Sequence, residues 1–265
     1  MRLDAALAAR GLARSRTHAA RLVAAGSVMV NGRSVGKPSH PVADADELAL
    51  ARIDRYVSRA AHKLIAALDA YPDLVVAGRL ALDVGASTGG FSQVLLERGA
   101  APVIALDVGH DQLDRSLRGR DDLVVVEGVN ARDLTPASLR GLTGIAESPT
   151  LVVGDLSFIS LRTVLPALVE TADPDADFVL LVKPQFEVGR GNLKEGIVHN
   201  AGLREDAVAN VAWAAWDLGL GTVGLLPSPL VGTNGNHEYL IRLSRSAGVN
   251  PTEWVDMIAT MTRGS

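Results

Sequence analysis

From Arg79 onward the chain alternates short apolar runs with helix-length stretches, and this constrains its fold more than any other feature of the sequence. The strand-like runs are Leu80–Val84, Val103–Asp107, Leu123–Val126, Leu151–Gly154, Phe178–Lys183, Val223–Leu226 and Tyr239–Ser244. Helices are expected between them around 91–98, 111–118, 161–172 and 201–218. Repeated units of this length predict an α/β fold with a parallel, doubly wound, Rossmann-like sheet, whose ligands sit at the carboxyl ends of its strands. There is no internal repeat and no low-complexity tract.

The first fifty residues follow a different plan. Leu3 and Leu7 have helical spacing, Gly11 ends that helix, and Ser15 is a candidate N-cap for a second helix closing at Gly26. A strand at Val28–Val30 runs into Asn31-Gly32, the preferred dipeptide of a type I′ hairpin, and Glu47–Leu50 can supply a further strand. The organisation expected is a small α+β module over residues 1–51, a linker over 52–57 and the large domain over 58–265. Ser58 should open an amphipathic helix whose Ala61, Leu64, Ile65 and Leu68 form one stripe, with Lys63 off it.

Charge divides the chain at the same place. Residues 1–63 hold eleven Lys/Arg against five Asp/Glu, a net of +6, so the remainder carries −10 of the overall −4. A basic module on an acidic body is the pattern of a polyanion-binding appendage. A solvated, arginine-rich surface would read the same way on charge alone.

Other chemistries are excluded. Without cysteine there are no disulfides, thiolate zinc sites, iron–sulfur clusters or cysteine nucleophiles, which removes radical methylation and cysteine-dependent methylation of pyrimidine carbon 5. The six histidines lack ligand spacing, so no metal is expected. No run reaches the roughly 20 apolar residues that cross a bilayer, and Met1–Arg21 has no apolar signal core. The expectation is a cytoplasmic protein with no stable membrane association.

The most informative stretch is Leu82-Asp-Val-Gly-Ala-Ser-Thr-Gly-Gly-Phe91, which follows the first strand and opens a helix. In a dinucleotide fingerprint G-x-G-x-x-G starting at Gly85 and ending at Gly90, the middle glycine would be residue 87, which here is Ser87. Pyrophosphate needs a bare backbone there, so the loop points to a nucleoside ligand without phosphate. Asp107 ends the second strand, where an acid can bind ribose hydroxyls, and Asn130 follows the third, where an amide can read an adenine edge. Together these fit S-adenosylmethionine. The candidate cofactor residues are Asp83, Gly85, Ala86, Ser87, Thr88, Gly89, Gly90, Phe91, Asp107, Asn130, Ala131 and Asp155.

Three polar residues sit where hydrophobic strands should stop: Asp155, Lys183 and Glu238. Strand ends on a doubly wound sheet converge on one crevice. A lysine beside two carboxylates suits transfer to an alcohol, because a neutralised or hydrogen-bonded amine can orient a poor hydroxyl nucleophile and help remove its proton. A sulfonium methyl donor needs no metal, and alignment of oxygen, carbon and sulfur can supply most of the catalysis.

The motifs resemble those of the TlyA (haemolysin A) family, whose catalytic domain is similar to FtsJ-like ribose 2′-O-methyltransferases. They run in order along nearly the whole chain: Gly11-Leu-Ala-Arg-Ser-Arg16, Ser58-Arg-Ala-Ala-His-Lys-Leu64, Asp83 to Phe91, Asp155-Leu-Ser-Phe-Ile-Ser160, Val182-Lys-Pro-Gln-Phe-Glu187 and Gly235-Asn-His-Glu-Tyr239. The resemblance implies a K-D-K-E tetrad at Lys63, Asp155, Lys183 and Glu238, and it alone promotes Lys63 from a helix-surface lysine. The first module resembles the S-four type RNA-binding domain, with Arg2, Arg14, Arg16 and Lys37, together with Arg59, as candidate RNA contacts.

The resemblance further implies cytidine 2′-O-methylation of ribosomal RNA, with ribosomal RNA or ribosomal subunits as partners. The target is the large subunit and, in members with longer termini, also the small one; the length and an expected helix over Glu253–Met261 favour the dual type. Where family members carry R-A-W-V, this chain has Asp54-Arg-Tyr-Val57, with Tyr56 as the candidate aromatic anchor. The rival readings are a membrane-active haemolysin, a non-catalytic RNA-binding assembly factor and a pseudouridine synthase. The last shares the small domain but not the adenosylmethionine crevice.

Overall fold

The computed structural model describes residues 1–24, 26–50, 55–232 and 235–264. The chain forms two compact units, Met1–Arg55 and Tyr56–Ser265. Of the expected linker, residues 52–54 lie outside the described residues.

In the first unit, helices α1 (Leu3–Ala9) and α2 (Arg16–Ala24) pack with a three-stranded antiparallel sheet in the order β2-β1-β3, formed by β1 (Val28–Val30), β2 (Arg33–Ser34) and β3 (Leu48–Leu50). Ser15 Oγ accepts from His18 N at 3.1 Å, the N-cap bond expected of it. Asn31 and Gly32 both have positive φ, as a I′ turn demands. Leu3, Leu7, Ala19, Val23 and Val28, all fully buried, make a small separate core. Arg10 holds the 43–46 turn by donating to the carbonyls of Asp46, Ala43 and Asp44.

The second unit begins with α3 (Ala61–Ala70) and continues through β4 (Ala81–Val84), α4 (Gly90–Glu97), β5 (Val103–Asp107), β6 (Leu123–Glu127), α5 (Pro136–Thr143), β7 (Leu151–Gly154), α6 (Leu161–Thr171), β8 (Asp177–Val182), α7 (Pro184–Glu187), α8 (Ala201–Asp217), β9 (Gly221–Pro227), β10 (Tyr239–Ser244) and α9 (Val255–Arg263). The strand order is β6-β5-β4-β7-β8-β10-β9. The apolar sheet separates two cores, one on each face. Among the described residues, no helix is long and apolar enough to cross a membrane.

Two expectations need correction. The sheet is not wholly parallel, because β10 pairs antiparallel with both β8 and β9. Among its described residues the connection from Pro227 to Tyr239 carries no crossover helix, and a parallel return needs a dozen or more residues, usually with one. Segment 111–118 is a series of turns rather than a helix. Leu113 and Leu117 have helical spacing because both cover Gly89, where an added Cβ would strike their Cδ1 atoms. Helix α5, capped by a Thr135–Ser138 capping box, was not expected.

The antiparallel strand positions the site. Tyr239 pairs with Val182, so Glu238 enters β10 beside the residue that leaves β8, Lys183. Val84 pairs with Gly154, so Gly85 opposes Asp155. Gly85 has φ +78, and a side chain there would press on the Asp155 carbonyl.

Candidate active site

Lys63, from the first turn of α3, is buried rather than on the helix surface and lies at the centre of the charged cluster. Its Nζ donates to Glu238 Oε2 at 2.7 Å and to Asp155 Oδ2 at 3.0 Å. Lys183 Nζ lies 2.6 Å from Asp155 Oδ1, a contact of opposite charges rather than an aligned hydrogen bond, and donates to Ser157 Oγ at 2.7 Å. The structure thus brings together four residues scattered from position 63 to position 238, at 3–14% side-chain exposure. Burial pushes the Asp155 carboxyl up, but the charges of Lys183 and then Lys63 outweigh it and hold the group below its ordinary value. Two lysines against two carboxylates balance the formal charge, which is the condition for burying ions at all.

Neighbouring groups seat the cluster. A Cβ at Gly232 would strike Glu238 Oε1, so a side chain there would push the carboxylate off its place on Lys63. Glu187, in the motif after Lys183 but without a role assigned from sequence, receives Ser160 Oγ at 2.5 Å, Leu161 N at 2.6 Å and Arg162 Nε at 3.3 Å. It closes the amino end of α6, the helix that follows Asp155. Phe158 has φ +65 and is 92% exposed, with its ring 5.3 Å from that of Phe186. Sequence reading missed it because an aromatic beside Leu156, Ile159 and Leu161 looks like core.

Ser58, Arg59 and Gly90 join the tetrad in lining one cavity, and a second, more apolar cavity shares Gly85, Ser87, Asp155 and Ser157 with it. Leu106, Val108, Val129, Ala131 and Ile159 wall the second cavity, with Asp107 and Asn130 also lining it. An apolar slot with a carboxylate on its wall suits a nucleoside. Asp107 already holds the glycine loop: Oδ2 accepts from Ser87 N at 2.8 Å and Oδ1 from Gly109 N at 2.7 Å. Asn130 Oδ1 caps the following turn by accepting from Arg132 N at 3.2 Å. Ala86 and Thr88 line the tetrad cavity; Phe91 does too while packing into the core, and Gly89, in the left-handed region, caps α4. Asp83 does not face either cavity. It is fully buried, receives Ser92 Oγ at 2.6 Å, and leaves Oδ1 without a partner, and burial raises its pKa to about 7.

In the first unit, Arg14, Arg16 and Lys37 are exposed, and Arg2 and Arg16 both lean on Asp4, at 2.9 and 3.5 Å. Arg59 is exposed at the rim of the tetrad cavity. Tyr56 packs on the core beside α4 and donates to Glu97 Oε2 at 3.1 Å. Among the described residues no group of His, Asp or Glu is arranged to hold a metal ion.

Comparison with known proteins bears on both units. Residues 56–245 match FtsJ-like methyltransferases and residues 1–48 match the S4 domain. The chain is 52% identical over 245 residues to the 16S/23S rRNA (cytidine-2'-O)-methyltransferase TlyA of Mycobacterium tuberculosis, covering 91% of this chain and 89% of that protein. It is 38% identical to Hemolysin A of Brachyspira hyodysenteriae, covering 91% and 98%. A solved structure from Streptococcus thermophilus, provisionally described as a hemolysin, superposes with a TM-score of 0.76 at 36% identity, covering 100% of this chain and 94% of that one. With the FtsJ-like domain, the S4 domain and identity over most of its length, this chain belongs to the TlyA family of FtsJ-like methyltransferases.

Proposed function

We propose that the protein transfers a methyl group from S-adenosylmethionine to the ribose 2′-hydroxyl of a cytidine in ribosomal RNA, working in the cytoplasm on ribosomal RNA or ribosomal subunits. The observation that carries this reading is the convergence of Lys63, Asp155, Lys183 and Glu238 on a cavity that adjoins a nucleoside-shaped slot. The cofactor would supply the methyl group from its sulfonium. In the slot, Asp107 would bind the ribose hydroxyls with the acceptor capacity its two backbone bonds leave, and Asn130 would offer its amide to the adenine.

Lys183 acts on the nucleophile. Asp155 and Ser157 fix its Nζ. As the free amine, with its ammonium proton given up to solvent, it keeps N–H bonds to these two and turns its lone pair to the 2′-oxygen. It orients that oxygen and takes its proton as the carbon–oxygen bond forms and the methyl leaves the sulfonium. Lys63 and Glu238 hold Asp155 in register, so that the lysine does not wander. Phe158, which lines the second cavity with its ring exposed, would offer a face on which a base of the RNA can stack, a contact that tolerates any base and adds about 1–3 kcal/mol. The first unit supplies phosphate contacts through Arg2, Arg14, Arg16 and Lys37, which position RNA without selecting sequence.

Mapping 2′-O-methyl groups by mass spectrometry on ribosomal RNA from cells with and without the gene tests the reading. A cytidine methylated only in the presence of the gene is the expected result; identical methylation maps would defeat it. Methylation by purified protein of RNA from the deleted strain extends the test to the enzyme itself.

A further inference from the structure

One element between Lys183 and α8 is not used by this chemistry. Lys194 and Ile197 exchange both backbone bonds, at 3.1 and 2.9 Å, around Glu195 and Gly196, whose φ values are 54 and 79. This is a two-residue hairpin with an exposed tip. So short a hairpin has no stability of its own in water. Two buried side chains hold it. Asn236, 3% exposed, accepts from Val198 N on Oδ1 at 3.1 Å and donates from Nδ2 to Gly196 O at 2.9 Å, much as the peptide of a third strand would. Arg204 of α8 donates to Val198 O at 3.2 Å and His199 O at 3.0 Å, and to Thr262 O in the last turn of α9 at 2.6 Å.

Asn236 also borders the reacting centre. It stands two residues before Glu238, and its carbonyl accepts from Gly232 N at 2.8 Å, where Gly232 lines the tetrad cavity. A buried amide costs desolvation that only satisfied bonds offset, so an amide bonded at both ends to one hairpin fixes that hairpin's geometry. The tip it fixes carries Lys194 and Glu195, both exposed, and of the two the lysine is the one that can meet a phosphate. A lysine held on a preformed hairpin meets a phosphate with less ordering cost than one on a loose loop.

We propose that Asn236 is a positioning residue that fixes the Lys194–Ile197 hairpin as a rigid rim beside the tetrad, on which the RNA backbone near the target nucleotide rests through Lys194. The inference depends on the reading of the substrate as ribosomal RNA.

Wild-type methylation of ribosomal RNA checks that reading first, and amide hydrogen exchange over 194–199 checks the clamp separately, without any substrate. In Asn236→Ala, exchange at Val198 should accelerate, and KM for RNA should rise about tenfold, as expected for two lost hydrogen bonds, with kcat and cofactor affinity held. Asn236→Asp keeps the acceptor for Val198 and should fall between. Lys194→Ala should raise KM in the wild-type background and add little in Asn236→Ala, because a loosened hairpin no longer presents the charge. Three results would overturn the proposal: a fall in kcat at unchanged KM, a parallel loss of cofactor affinity, or fully additive effects of the Lys194 and Asn236 substitutions. Should the alanine variant not fold, an unchanged KM for RNA in Asn236→Asp, which loses the bond to Gly196 O, would do the same.

Discussion

Lys63 and Glu238, 175 residues apart, meet at 2.7 Å inside the protein, with side-chain exposures of 8% and 3%. Glu238 relies on Lys63 for its counter-charge, whereas Lys63 also pairs with Asp155 at 3.0 Å. Removing one partner of a buried pair leaves an uncompensated ion and typically costs about 3–5 kcal/mol, whereas removing both is far milder. Lys63→Met should therefore lower the denaturant midpoint sharply, and the double variant Lys63→Met, Glu238→Leu should regain much of the loss while remaining inactive. Equal destabilisation of single and double variants in urea titrations would show that the pair is not the coupled unit.

Lys183 should dominate the chemistry. Its replacement by Ala removes the amine that orients the 2′-oxygen, a contribution of about 10² to 10⁴ in rate, with cofactor affinity nearly unchanged. Arg should recover little, because guanidinium stays charged and its planar fork cannot place one nitrogen between Asp155 and Ser157. Single-turnover methylation across pH for the three proteins decides; substantial recovery by Arg would mean that only a fixed positive charge is needed.

Phe158 should separate substrate binding from folding. Its ring is exposed and its φ of +65 is unfavourable for a side chain of this kind. Phe158→Gly should leave the protein as stable or slightly more so, yet weaken productive RNA binding by roughly ten- to a hundredfold, the worth of one stacked base. A methylation assay at limiting RNA, paired with a thermal melt, reads both; unchanged kcat/KM would remove the ring from the substrate path.

Asp83 makes stability depend on pH in an unusual direction for an acid. Its folded pKa of about 7 stands above the ordinary 3.8, so between those values the folded protein binds more protons than the unfolded chain. Stability from this group is therefore full below about pH 4 and declines by about 1.4 kcal/mol per pH unit as the pH rises toward 7, then levels off. Asp83→Asn should flatten that decline and gain relative stability at pH 8. Urea unfolding of both proteins from pH 5 to 8 measures the difference, and parallel curves would contradict the assignment.

The sheet was legible because its strands are nearly uninterrupted apolar runs, and Asp155, Lys183 and Glu238 were legible because charge at the end of such a run is conspicuous. Lys63 was not. A lysine in a helix reads as surface, and what buries it lies 92 and 175 residues away. The Leu113/Leu117 spacing misled for the opposite reason, since two apolar residues four apart can cover a glycine loop from consecutive turns as readily as from a helix. Glu187 and Asn236 were visible only inside motifs, because a side chain that bonds to distant backbone leaves no periodic trace.

The capping of α6 by Glu187 has a mechanical consequence. Glu187 lies four residues beyond Lys183, and the groups it grips, Ser160 and Leu161, lie five and six beyond Asp155. The exits of β7 and β8 are thereby riveted to each other past the reacting atoms. Neither exit can swing without carrying the other, so the amine and its counterion travel as one body, and whatever opens to admit an RNA strand must hinge elsewhere.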